Sequence, residues 1–149
     1  MASTRFFLPV RFLLLLILII ALSANCTGPT EARVEKIQGG TRTILPDRMQ
    51  SLTGMRDGDV LKARLAFASD GSELVMDMLF RIGVPTRLEA GRYQWQRKEG
   101  TIEGPVGAES VTFLGGQSDG PSLGGAFVLL SPSGVQPYRV IVPTTRIKN

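Results

Sequence analysis

Histidine is absent from the 149 residues of this chain, and cysteine occurs once, at Cys26. The first absence excludes Ser-His-Asp and Cys-His catalysis, histidine-ligated zinc and haem, and an imidazole general base. The second excludes an intramolecular disulfide and a multi-thiolate metal site. No metal and no other cofactor is expected. A concentrated charge of one sign is also lacking. Lys plus Arg number 17 and Asp plus Glu 13, a formal net charge of +4, but Arg5 and Arg11 stand before an apolar run at the N-terminus. From Cys26 onward 15 cations face 13 anions. That surplus is too small for nucleic-acid binding, which rests on concentrated neutralisation of phosphates. After Cys26 no repeat, no second domain boundary and no long amphipathic helix is visible.

The one long apolar run is Phe12 to Leu22, 11 residues of Phe, Leu, Ile and Ala only, followed by Ser23, Ala24 and Asn25. Positive residues, apolar run and small residues, in that order, make a secretory signal. As a helix the run would reach roughly 16 Å, against a hydrocarbon core about 30 Å thick. Residues 1–25 are therefore read as a signal peptide. The alternative is an uncleaved anchor lengthened by Phe6 to Val10 and the stem of Arg11. Both place the rest of the chain on the far side of a membrane, with the N-terminus cytoplasmic. Residues 26–33 read as a tether and 34–149 as a single domain.

The stretch Leu22-Ser23-Ala24-Asn25-Cys26 resembles the lipobox of bacterial lipoproteins. Asn25 stands where that family usually has Gly, Ala or Ser, and Ser23 where Leu is commonest. The resemblance implies that the Cys26 thiol receives a diacylglycerol, that cleavage exposes its amine, and that a further acyl chain can follow. Several chains would hold the protein firmly, since a single one binds a membrane only marginally. Ordinary cleavage after Ser23 or Ala24 is the competing reading. Thr27-Gly28-Pro29-Thr30 suits an extended tether. Asn25-Cys26-Thr27 also fits a glycosylation sequon, but it lies on the cleavage site and is read as chance.

Beyond the tether the apolar period is two. Leu61, Ala63, Leu65 and Phe67 alternate with Val60, Lys62, Arg64 and Ala66; Leu74, Met76, Met78, Phe80 and Ile82 alternate with Val75, Asp77, Leu79 and Arg81. Between them lies the turn cluster Ala68-Ser69-Asp70-Gly71-Ser72, so a β-hairpin is predicted. Further strands are predicted at 34–38, 92–97, 110–114, 126–130 and 138–142, with a short one at 42–45. Met49 and Leu52, three apart with Gly54 beyond, predict one helical turn over 46–53. The expected fold class is all-β: a small antiparallel sandwich or open barrel of about seven or eight strands. Leu88-Glu89-Ala90-Gly91-Arg92-Tyr93 resembles the tyrosine corner of Greek-key sandwiches. That resemblance implies a tyrosine hydroxyl bonded to upstream backbone.

Few residues suggest chemistry. Gly116-Gln117-Ser118-Asp119-Gly120 satisfies the spacing of a hydrolase nucleophile elbow, which needs a following helix and a histidine. Pro121-Ser122-Leu123-Gly124-Gly125 does not start a helix, so the stretch reads as a glycine-rich connection between strands. Its main-chain groups make Gly116, Ser118 and Asp119 candidate contacts for a ligand or partner. Tyr93 and Trp95, two apart on a strand, share one face and are further candidates, although such rings more often fill cores. Asp57, Asp59, Asp70, Asp77 and Asp119 are scattered, most of them at turns or on polar faces, and Asp57-Gly58-Asp59 lacks the rest of a calcium spacing. Arginines and Lys98 dominate residues 81–98 and acids dominate 99–138, which suggests that the two segments balance each other.

The expectation is a non-catalytic, lipid-anchored accessory protein of the cell envelope, exported to the periplasmic or cell-surface face of a bacterial membrane. Its role would be structural, in assembly, or in binding a protein partner, with strand edges available for pairing. The alternatives are a carboxylate-dependent glycan hydrolase, which needs two acids facing a cleft, and a carrier with an apolar cavity behind strand 74–82.

Overall fold

A computed structural model of the protein describes residues 31–134 and 137–149. The export segment, Cys26 and the tether as far as Thr30 lie outside the described residues.

Alternation of side chains sets the architecture. The strands are β1 (Arg33–Gln38), β2 (Thr41–Ile44), β3 (Arg48–Asp57), β4 (Val60–Ser69), β5 (Ser72–Arg81), β6 (Arg87–Arg97), β7 (Gly100–Leu114), β8 (Ser122–Leu129) and β9 (Tyr138–Arg146). They form one sheet in the order β2-β1-β9-β8-β7-β6-β5-β4-β3. From β4 to β9 each strand pairs antiparallel with its predecessor; β1 then adds to the outside of β9, and β2 to the outside of β1. The all-β class is as expected. The strands number nine rather than seven or eight, and they lie in one continuous sheet curled as a half-barrel.

The predicted hairpin is β4 and β5, paired without interruption from Val60↔Arg81 to Ser69↔Ser72. Its loop is only Asp70-Gly71, and Gly71 takes φ +75°, where a side chain is rarely accommodated. Leu61, Leu65, Phe67, Leu74, Met76 and Phe80 are at most 1% exposed. Burying each large apolar side chain is worth about 1.5–3 kcal/mol. A one-residue slip would turn the whole set to solvent, so this alternation fixes the register.

Two regions differ from the sequence-based expectation. Residues 46–53 form no helical turn; Arg48 onward is β3. Its pairing steps from Met49↔Phe67 to Ser51↔Ala66, which leaves Gln50 as a bulge. The extra residue brings Met49 and Leu52 to the same face despite their spacing of three. Gly54 does not stop the element; a Cβ there would stand 2.9 Å from Ile147 Cγ2 and 3.0 Å from the Lys62 carbonyl oxygen. The second difference is the strand predicted at 110–114, which is only the end of the 15-residue β7. β7 changes partner along its length. Gly100–Pro105 pairs with β6, and Val106–Leu114 pairs with β8.

The core is one cluster on the concave side, with Trp95, Phe67, Phe80 and Phe127 its largest fully buried members. Several polar groups inside it are tied, whereas Glu35 Oε2 is buried without a hydrogen-bond partner. Trp95 Nε1 donates to Ser72 Oγ at 2.7 Å, and Ser72 Oγ donates to the buried Asp47 carboxylate at 2.7 Å. The Arg97 guanidinium lies 4.9 Å from the Trp95 ring and donates to the Tyr138 hydroxyl at 2.7 Å. Tyr93 donates its hydroxyl to the Leu130 carbonyl at 3.1 Å. This is a tyrosine pin, but it reaches 37 residues downstream instead of the upstream backbone that the tyrosine-corner resemblance implies. The chain end reaches β3, at the far end of the strand order. Lys148 N donates to the Leu52 carbonyl at 2.9 Å, and Gly54 N donates to the Lys148 carbonyl at 3.0 Å.

Candidate functional site: strand edges and a split in the sheet

The candidate contact residues fall into two environments. Tyr93 and Trp95 are 4% and 1% exposed and belong to the core. Gly116, Ser118 and Asp119 are exposed in the connection between β7 and β8. The structure does not bring the two groups to one surface. The strand required before a nucleophile elbow is present, but the connection leads into strand β8 and not into a helix. Gly124 and Gly125, read as part of the loop, lie within β8. A Cβ on Gly124 would stand 2.8 Å from Thr144 N. That close approach explains the glycine at this position.

The scattered aspartates stay scattered. Asp59 accepts from Arg81 Nη1 at 3.0 Å, and this bond holds its carboxyl below the ordinary 3.8. Arg81 also donates to Glu89 at 3.0 Å. Asp77 takes two bonds from Arg64, at 2.7 and 3.0 Å, on the outer face. Asp57 and Asp70 are exposed at turns. Among the described residues no cluster of His, Cys, Asp or Glu suits a metal ion. The basic segment 81–98 and the acidic segment 99–138 meet at Arg97–Glu99, 3.4 Å apart; Arg81 and Glu109 take partners elsewhere, Glu109 from Arg139 at 2.6 Å. Behind the strand 74–82, Met76 and Met78 pack into the contiguous core.

What the fold offers to a partner is unpaired backbone. β2 ends the sheet: all four of its residues are exposed, Ile44 at 61%, and no described strand lies beyond it. At the opposite end β3 is bridged by Lys148 at Thr53. A third edge lies inside the sheet. β6 pairs with β5 from Arg87 to Gln96, yet its ladder with β7 covers only Arg92 to Arg97. The ladder stops at Arg92↔Pro105, and the Pro105 carbonyl accepts from Leu130 N on the β8 side at 3.0 Å. Beyond that vertex β7 follows β8. Residues 87–90 and 106–111 therefore flank a cleft of about 580 Å³, with a strand neighbour on one side only. Sequence reasoning does not find this split, because it depends on one strand serving two partners. The outer face of β3 to β6 carries a wider depression, about 1020 Å³, crossed by Arg64, Asp77 and Arg92. Comparison with protein-family models, with curated proteins and with solved structures finds no match for the chain.

Proposed function

We propose that this chain is an exported, lipid-anchored accessory protein of the bacterial cell envelope, whose β domain binds a protein partner and catalyses no reaction. The observation that carries the binding role is the unpaired backbone at β2 and at the split between β6 and β7. Unpaired strand edges are templates for an added strand: main-chain bonds supply affinity and alternate side-chain pockets supply specificity. The anchoring role rests on the apolar run, on Cys26 and on the lipobox resemblance. The non-catalytic role is supported by the lack of histidine and by the separation of the acids, with Asp59 tied to Arg81 and Asp77 to Arg64.

The test is the intact mass of the mature chain extracted from membranes, together with Cys26→Ser. Acylated Cys26 as the first residue, and release of the variant from the membrane fraction, are the expected results. An unacylated N-terminus upstream or downstream of Cys26 would remove the lipid anchor. Turnover of a defined envelope glycan by the purified protein would remove the non-catalytic role.

A further inference from the structure

The split between β6 and β7 is a slot for one specific kind of segment. We infer that it takes an extended stretch of a partner polypeptide as an additional strand, about five residues long, with apolar side chains at alternate positions and an acidic residue at the Arg87 end. This inference rests on the partner-binding reading above and names the site and the chemistry of the partner.

Three features converge. The first is main chain. The two edges part at Arg92↔Pro105, so within 87–90 on one side and 107–111 on the other the alternate backbone groups that do not bond β5 or β8 are directed at the cleft. Five residues of strand span about 17 Å. Since β6 and β7 are antiparallel, a guest strand runs parallel to one edge and antiparallel to the other. The second is side chains. Ala90, Gly107 and Ala108 leave the edges uncovered, while Leu88, Val106 and Val111 lie against the core and form an apolar floor for alternate residues of the guest. The third is charge. Arg87 stands directly opposite Arg81 on β5. Arg81 is neutralised by Asp59 and Glu89, whereas Arg87 has no acidic partner within the described residues. Like charges directly opposite on a sheet repel, so the exposed Arg87 at the mouth of the cleft is a cation waiting for an anion. Both acids that line the cleft are engaged, Glu89 by Arg81 and Glu109 by Arg139, so neither competes for it.

The experiment is site-specific photocrosslinking of the full chain in its own cell envelope, with p-benzoylphenylalanine at Ala90, at Ala108 or at Thr43 on the β2 edge. All three positions are exposed. The expected result is adducts from positions 90 and 108 on the same short extended segment of one partner, with an acidic residue at one end. Arg87→Glu should cut those adducts about tenfold, the loss of one charge-assisted contact, and Arg87→Lys should retain them. Adducts from position 43 alone, or slot adducts indifferent to Arg87→Glu, would overturn the slot and leave the partner-binding reading standing. Absence of adducts at all three positions would overturn both.

Discussion

At the scale of single residues, the buried polar groups carry the sharpest expectations. Ser72 is the middle of a relay: it accepts from Trp95 and donates to Asp47, which are 1% and 3% exposed. Ser72→Ala strands a buried N–H and weakens the setting of a buried carboxylate. Leaving such a group unsatisfied costs about 1–3 kcal/mol. The unfolding free energy from urea denaturation, followed by fluorescence of the lone Trp95, should fall by that amount, with a lower midpoint and an unchanged slope; an unmoved midpoint would mean that the relay is ornamental. Tyr93→Phe removes the donor to the Leu130 carbonyl and should cost about 1 kcal/mol. It carries a pH signature as well. Burial, aided by the neighbouring Tyr138, pushes the Tyr93 hydroxyl above its ordinary 10.0. A group whose folded pKa is raised stabilises the fold fully below the unfolded value and loses that contribution as pH rises through the folded one. The native chain should therefore lose stability above pH 10, and the variant should show a shallower alkaline decline in its thermal midpoint.

At the scale of elements, β7 is the decisive strand, and its small residues are structural. A Cβ on Gly104 would collide with the Leu130 carbonyl oxygen and stand 3.2 Å from Tyr93 Cε1. Gly104→Ala should destabilise by about 1–3 kcal/mol, the usual range for overpacking, and should loosen the Tyr93 pin. Chemical denaturation measures the first effect and amide exchange at the β6–β7 ladder the second. The sequence conceals this strand for the same reason that the strand works. Gly104, Pro105 and Gly107 are poor strand formers, but they stand where β7 passes from one partner to the other and where backbones come close. Periodicity fails at β3 for a related reason, because the Gln50 bulge gives a strand the apolar spacing of a helix. The β4–β5 hairpin is legible because nothing interrupts its alternation. Of the candidate site, Tyr93 and Trp95 are legible as a shared face, and the structure places that face inward. The cleft is not legible, because it opens where one strand leaves β6 to pair with β8.

At the scale of the whole molecule, the question is how a single open sheet protects its ends. β2 is short, a recognised way to blunt an edge. β3 is ten residues long and would be a hazard if bare, but the chain end shields it. Ile147 is 4% exposed and packs with the core, its N–H donates to the Pro121 carbonyl at 2.9 Å, and Lys148 exchanges two main-chain bonds with Leu52 and Gly54. A chain ending at Arg146 loses the burial of one Ile and three main-chain bonds, together about 3–7 kcal/mol. It also bares the middle of the β3 edge around Thr53. The expected outcome is a lower melting temperature together with concentration-dependent association in size-exclusion chromatography. Lys148→Ala is the control: it removes the charged side chain, keeps the backbone bonds, and should behave as the native chain does. If the shortened chain stays monomeric and keeps its melting temperature, the terminal bridge does not guard the edge, and the curvature of the sheet alone must keep β3 from pairing.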